Sequence, residues 1–243
     1  MSISYIIASY GGRDHLSNRH YSEYVLQLHF IHLIKALSVQ RDLVKEVILV
    51  IPPARDPFQK YYDIPGWKAT LKAIGVDLVC VDYIGTNKFH SYDQWIQGCN
   101  VARGDYFILI EDDYSLDPDS PNSLKDLVQC YNEMFPDSKG YLCGLVLEPP
   151  RHAAISNGII SRKTCEHIPD MLNEFYRQHI SGQYEAYSQI TFSILFTNFQ
   201  LPIEDYRHRF KSLFWNSFNN NFEDFSVVDT KHIFVPVQHF VVT

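Results

Sequence analysis

No apolar run in this sequence is long enough to cross a bilayer. The longest, 47–53 and 106–110, fall far short of the roughly 18–20 residues that a spanning helix needs. Nor does a basic stretch followed by an apolar one open the chain. Met1-Ser2-Ile3-Ser4 runs straight into a β-branched segment, so a cytoplasmic protein without a secretory signal is expected. No two cysteines have CxxC spacing. Cys80, Cys99, Cys130, Cys143 and Cys165 are scattered, which argues against a zinc ribbon and fits buried free thiols in a reducing compartment. Basic residues are outnumbered, 21 against 28 acidic, for a formal net charge of −7. That sign is wrong for a protein that wraps duplex nucleic acid, although a local basic patch leaves a nucleic-acid acceptor open. Internal repeats and Ser/Gly-rich linkers are missing too, so residues 1–243 read as a single domain.

What is present is an ordinary apolar fraction, 46%, with 16 Tyr and 16 Phe. So many tyrosines exceed the needs of a core, and some suit a polar cleft where a ring stacks and a hydroxyl bonds. Apolar, β-branched runs at 3–10, 46–51, 76–81 and 106–110 read as buried strands. Between them, 21–38, 67–74 and 91–102 carry helical spacing. Gly75 stands as a C-terminal glycine of the second helix and Ser91 as the cap of the third. Alternating strands and helices predict an α/β fold with a mostly parallel sheet, and unbroken apolar strands predict helices on both faces. The second half is less regular. It reads as a helix over 122–135 capped by Asn122 or Ser123, strands at 141–147 and 155–160, helices at 163–179 and 185–199, and an edge strand at 233–237 containing Pro236.

In such sheets ligands bind beyond the carboxyl ends of the strands, which selects 9–14, 52–58 and 111–114. The last holds Glu111-Asp112-Asp113 directly after a buried strand. Three adjacent carboxylates repel one another unless a cation sits among them. Hard cations such as Mg²⁺ and Mn²⁺ take carboxylate oxygens and share them with substrate phosphates. Strand alternation points residues 111 and 113 the same way, an arrangement suited to one divalent ion and a diphosphate.

The run Ala102-Arg103-Gly104-Asp105-Tyr106-Phe107-Ile108-Leu109-Ile110-Glu111-Asp112-Asp113 resembles the segment ending in the D-x-D motif of GT-A fold nucleotide-sugar glycosyltransferases, especially family 2. The opening Ile6-Ile7-Ala8-Ser9-Tyr10-Gly11-Gly12-Arg13 is similar to their first strand and loop. The resemblance covers the first half of the chain well and the second half poorly. It implies a GT-A fold with a mixed, mostly parallel sheet flanked by helices. Residues 1–114 would form the nucleotide-binding half and 115–243 the acceptor-binding half. It also implies Mn²⁺ or Mg²⁺ on Asp113 and Glu111, with Glu111 or Asp112 toward the donor, and Ser9, Tyr10 and Arg13 against base or phosphates. The partners are a nucleotide-sugar donor and a glycan or glycoconjugate acceptor. The chain departs from family 2 where an acidic residue usually follows the second strand. Pro52 stands there, with Asp56 or Asp82 as alternatives, and Lys88, Asp93 or Gln94 replaces the usual motif before the third helix.

An inverting transferase needs a carboxylate base. The pair Glu204-Asp205 matches in type and distance, with Asp205 as the base, and Glu185 is the rival. His232 or His239, flanking the last predicted strand, would complete the metal site. Arg151, His152, Asn157 and Arg162 fall in the region that faces sugar and acceptor, although Asn157-Gly158 also reads as a plain turn. Two other functions stay open: a sugar nucleotidyltransferase, whose Gly-rich basic loop Gly11-Gly12-Arg13 half supplies, and a non-catalytic carbohydrate-binding domain of the same fold.

Overall fold

In the computed structural model the described residues are 1–9, 25–51, 62–84, 90–112, 114–144, 146–147, 152–153, 157–167, 170, 177, 196–206 and 234–236. In chain order the elements are β1 (Ile3–Ala8), α1 (Val25–Gln40), a 3₁₀ turn (Arg41–Leu43), β2 (Val44–Ile51), α2 (Ile64–Ala73), β3 (Asp77–Asp82), α3 (His90–Val101), β4 (Tyr106–Glu111), β5 (Tyr114–Leu116), α4 (Ser123–Met134), β6 (Tyr141–Cys143), β7 (Val146–Leu147), β8 (His152–Ala153), β9 (Gly158–Ser161), α5 (Arg162–Cys165), β10 (Ile203–Asp205) and β11 (Phe234–Pro236). Seven strands form one sheet in the order β10-β6-β9-β4-β1-β2-β3, with only β9 antiparallel to its neighbours.

Alternate side chains of the sheet feed two apolar layers. Ile3, Tyr5, Ile7, Val47, Leu49, Ile108 and Ile110 face α1, α2 and α4, where Phe30 stacks on Trp67 at 4.1 Å between ring centroids. Ile6, Ala8, Ile48, Val50, Phe107 and Leu109 face α3 through Trp95, Ile96 and Cys99. The expected cover on both faces is therefore present, and it accounts for the unbroken apolar strands.

Several boundaries move for local reasons. α2 starts three residues before the expected 67, because the Asp63 carboxylate accepts from the Gly66 amide at 3.1 Å and Pro65 suits a first turn. It ends as expected, with Gly75 at φ +85°. α3 begins at His90, so Ser91 lies inside it rather than capping it. α4 begins at Ser123, but neither Asn122 nor Ser123 provides a side-chain cap to it. Gln40, from the end of α1, accepts the Leu124 amide at 3.0 Å and donates to Ser120 O at 3.2 Å. The strand expected over 141–147 divides at Gly144: β6 joins the main sheet while β7 pairs with β8 in a separate ribbon. The expected 155–160 strand is β9, shifted to Gly158–Ser161. Within the helix expected over 163–179, α5 stops at Cys165 and a turn follows at residues 166–167. Residues 170 and 177 are helical again, and the rest lie outside the described residues. β5 was not foreseen. It pairs antiparallel with β11, where Pro236 stands opposite Tyr114.

The lead-in to β4 holds the amino ends of the strands. Glu46 is buried in β2, where its carboxylate accepts from Ser4 Oγ at 2.7 Å, Arg103 N at 2.6 Å and Arg103 Nε at 2.5 Å. These donors hold its carboxyl below the usual range against the opposing effect of burial. Arg162 lies here too. Because β9 runs antiparallel, its carboxyl end reaches the amino edge of the sheet, where Arg162 donates to Ala102 O at 3.1 Å and to Gly104 O. It therefore supports the fold and does not face a sugar. Gly104 is required for space, since a Cβ there would meet the backbone nitrogen of Ser4 at 2.6 Å. Gly104→Ala is expected to cost about 2–3 kcal/mol of stability through overpacking against fixed backbone. Denaturant unfolding would show this as a lower midpoint at unchanged slope.

Candidate functional site

The chain order of the strands reverses beside β1. From it, β2 and β3 step one way, and β4 starts on the other side. In open α/β sheets this switch point leaves a crevice at the carboxyl ends of the two central strands. Ala8 at the end of β1 pairs with Glu111 at the end of β4, so Ser9 and Glu111 flank that crevice.

Three successive residues of the β4 terminus are held by side chains from three separate elements. Trp95 Nε1, on α3, donates to Ile110 O at 2.9 Å. Asn157 Oδ1, just before β9, accepts from the Glu111 amide at 3.3 Å. His29 Nδ1, on α1, stands 3.2 Å from Asp112 O. Because a carbonyl only accepts, this Nδ1 carries the proton. In a neutral ring Nε2 is then the acceptor, and it takes the hydrogen of Tyr5 Oη at 3.3 Å. Ser115 Oγ in turn donates to His29 O at 3.1 Å. A buried chain of hydrogen bonds thus links β1, α1 and β5 to the turn that carries the carboxylates.

Glu111 is half-buried and Asp112 is 6% exposed. β4 ends at Glu111 and Asp112 is in a turn; Asp113, expected to point the same way as Glu111, lies outside the described residues. Ser9 is buried with its Oγ 2.7 Å from Tyr62 Oη, so its hydroxyl is engaged within the protein. Tyr141 is also fully buried. Burial raises its hydroxyl well above its ordinary value, and the charges of nearby Cys143, Glu111 and Tyr206 add to the effect. Its ring lies over Gly158, where a Cβ would meet it at 2.6 Å. Asp82 ends β3, exposed, at the same edge of the sheet. Gln94 on α3 is buried, with an Oε1 that lacks a hydrogen-bond partner among the described residues.

Glu204 and Asp205 end β10, parallel to β4, so they lie at the carboxyl edge as well. They are three strands from β4, about 14 Å across the sheet at the usual strand spacing. Asp205 is 1% exposed and Glu204 half-buried. The sheet therefore brings together Ser9, Glu111 and Asp112, and sets Glu204 and Asp205 apart from them. Tyr10, Arg13, Pro52, Asp56, Lys88, Asp113, Arg151, Glu185, His232 and His239 lie outside the described residues, as do the side chains of Asp93 and His152. Among the described residues no three His, Cys, Asp or Glu side chains are grouped to hold a metal. No described helix is long and apolar enough to cross a membrane. The open depression of about 380 Å³ lined by Arg41, Lys45 and Gly75 lies at the amino ends of the strands, away from the carboxylates.

Sequence reasoning missed His29 and Trp95, which bond the backbone of the carboxylate turn. The one available signal was a histidine within the apolar spacing of a helix that covers the sheet. Burial holds the His29 imidazole at about 3, far below its ordinary value, with the bond to Asp112 O opposing the shift and His32 adding to it. The unfolded chain then binds the proton first, so this contribution to stability is complete above about pH 6.5 and is lost as pH falls toward 3. At pH 4 the loss is expected to reach about 3 kcal/mol. A His29→Gln variant should show a flatter stability–pH profile between pH 6.5 and 4 in urea titrations.

No family model and no curated protein sequence matches the chain. Solved structures do. The glycosyltransferase GlyE of Streptococcus pneumoniae TIGR4 is 15% identical, with 86% of this chain aligned to 46% of that one at a TM-score of 0.50. The mannosyltransferase PcManGT of Pyrobaculum calidifontis, solved with GDP-Man and Mn²⁺, is 12% identical over 68% of this chain and 46% of that one, at a TM-score of 0.45. The inositol-1-phosphate CTP transferase of T. maritima is 10% identical over 85% and 86%, at 0.41. The chain spans about half the length of the two glycosyltransferases. Together with the strand order, the likeness to GlyE shows the fold: a mixed, mostly parallel sheet of the GT-A type found in glycosyltransferases.

Proposed function

We propose that the chain transfers a sugar from a nucleotide-sugar donor to an acceptor hydroxyl on a glycan or glycoconjugate. The observation that supports this reading is the Glu111-Asp112 turn, fixed at the switch point of the sheet by Trp95, Asn157 and His29. Departure of a nucleoside diphosphate builds negative charge, and fixed electrostatic partners lower that barrier most when they need no reorganisation. A turn locked through three backbone contacts meets that requirement. Its carboxylates present hard oxygen donors, which suit Mn²⁺ or Mg²⁺ better than a soft metal. Glu111 with Asp113 and His232 would hold the ion, which when bound neutralises the leaving diphosphate. Ser9, Tyr10, Arg13, Pro52 and Lys88 are the residues assigned to the nucleotide.

For an inverting reaction the base is Asp205, paired with Glu204, or Glu185. Burial of Asp205 and its separation from Glu111 make Glu185 the variant of first interest. The Asn or Gln variant of the true base should lose about 10²–10⁴-fold in turnover, while the other keeps most of its activity.

Thermal unfolding with UDP or GDP tests the assignment. A ligand at a hundredfold excess over its Kd should stabilise the protein by about 3 kcal/mol, and here only when Mn²⁺ is present. Asp113→Ala should abolish that shift along with hydrolysis or transfer of a nucleotide sugar, without lowering the unfolding temperature of the free protein. Unchanged turnover in that variant would overturn the reading. Turnover of a sugar phosphate with a nucleoside triphosphate instead would place the chain among nucleotidyltransferases.

A further inference from the structure

Asn157 is fully buried, and the orientation of its amide is determined. Oδ1 accepts the Glu111 N–H, and turning the amide over would set donor against donor. Nδ2, with two hydrogens to give, is therefore the half turned away from that amide, and among the described residues it is buried without a hydrogen-bond partner. An unsatisfied buried donor costs stability, and native structures hold few of them, most often where function or a bound partner meets the group. The position is rigid. Gly158, the next residue, pairs with Leu109 of β4 and Cys143 of β6 and is hemmed in by the Tyr141 ring. The unpaired donor of Asn157 thus lies at the end of β4 beside the Glu111-Asp112 turn.

We infer that Asn157 is a donor-substrate binding residue. Oδ1 holds the backbone of the carboxylate turn, and Nδ2 donates to an oxygen of the bound nucleotide sugar. This rests on the function proposed above. The acceptor oxygen is either on the diphosphate or a hydroxyl of the sugar, since both offer lone pairs to an amide. In either case one side chain ties the positioning of the carboxylates to occupancy of the site. A ligand that lacks the oxygen leaves the donor unpaired and is discriminated against for that reason.

Two variants of the full chain test this. Asn157→Asp keeps the size and the acceptor for Glu111 N–H but removes the donor. Asn157→Ala removes both without adding charge. Calorimetric titrations with UDP, GDP, UDP-glucose and GDP-mannose in the presence of Mn²⁺, and with Mn²⁺ alone, give the readout. For the probe that wild type binds, both variants should bind at least about tenfold more weakly. Mn²⁺ alone should bind Asn157→Asp no more weakly than wild type. A loss for the free nucleotide as well as its sugar assigns the oxygen to the diphosphate, and a loss for the nucleotide sugar alone assigns it to the sugar. Wild-type affinity in either variant overturns the role of Asn157 and leaves the proposed function standing. A wild-type protein that binds none of the probes overturns the proposed function, and this inference with it.

Discussion

β1 has neither a free edge nor an exposed face. β2 and β4 pair with it on either side, and helices cover it above and below. A strand in that position accepts polar groups only where each finds a partner. Ser4 lies in β1 with its hydroxyl donating to the buried Glu46 carboxylate, and the Gly104 amide donates to Ser4 Oγ at 2.8 Å. Tyr5 sends its hydroxyl to His29. The position of β1 also decides where the chain reverses its strand order, and so where a crevice can open.

The segment from Ala102 to Asp112 divides its work between the two ends of β4. Its first residues lock the amino edge through Arg103 on Glu46 and through Asp105, which accepts from the Ser2 amide at 2.8 Å. Its last residues present carboxylates at the carboxyl edge. The strand between is wholly apolar in its centre and transmits no charge, so the two ends differ sharply in chemistry. The ion pairs at the amino edge serve the fold. At the other edge it is the backbone of residues 110–112 that Trp95, Asn157 and His29 hold.

Much of the first half was legible because its physics is local. Continuous β-branched runs read as buried strands, and Gly75 marked a helix end by its freedom at positive φ. The Glu111-Asp112-Asp113 run stood out because adjacent carboxylates after an apolar strand are costly without a role. The second half was less legible, since its elements are short and take their register from distant partners. β5 spans three residues and pairs with β11 from the far end of the chain. β9 is inserted antiparallel between β4 and β6. That reversal carries Asn157 to the carboxyl edge and Arg162 to the amino edge, although only four residues separate them. The helix expected over 185–199 and the histidines expected at a metal site fall outside the described residues, apart from the turn of helix at residues 196–198.

The amino-acid sequence by itself determined the class of fold and the carboxylate turn, because hydrophobic patterning and charge repulsion act between neighbours along the chain. Only the tertiary structure decided which side chains hold that turn. Trp95, Asn157 and His29 come from α3, the lead into β9, and α1, and their contacts with residues 110–112 span 15, 46 and 83 positions of sequence. A hydrogen bond to a backbone atom leaves no trace in the identity of the residue that receives it. Such contacts exist only once the sheet has set its register, and for that reason the structure alone reveals them.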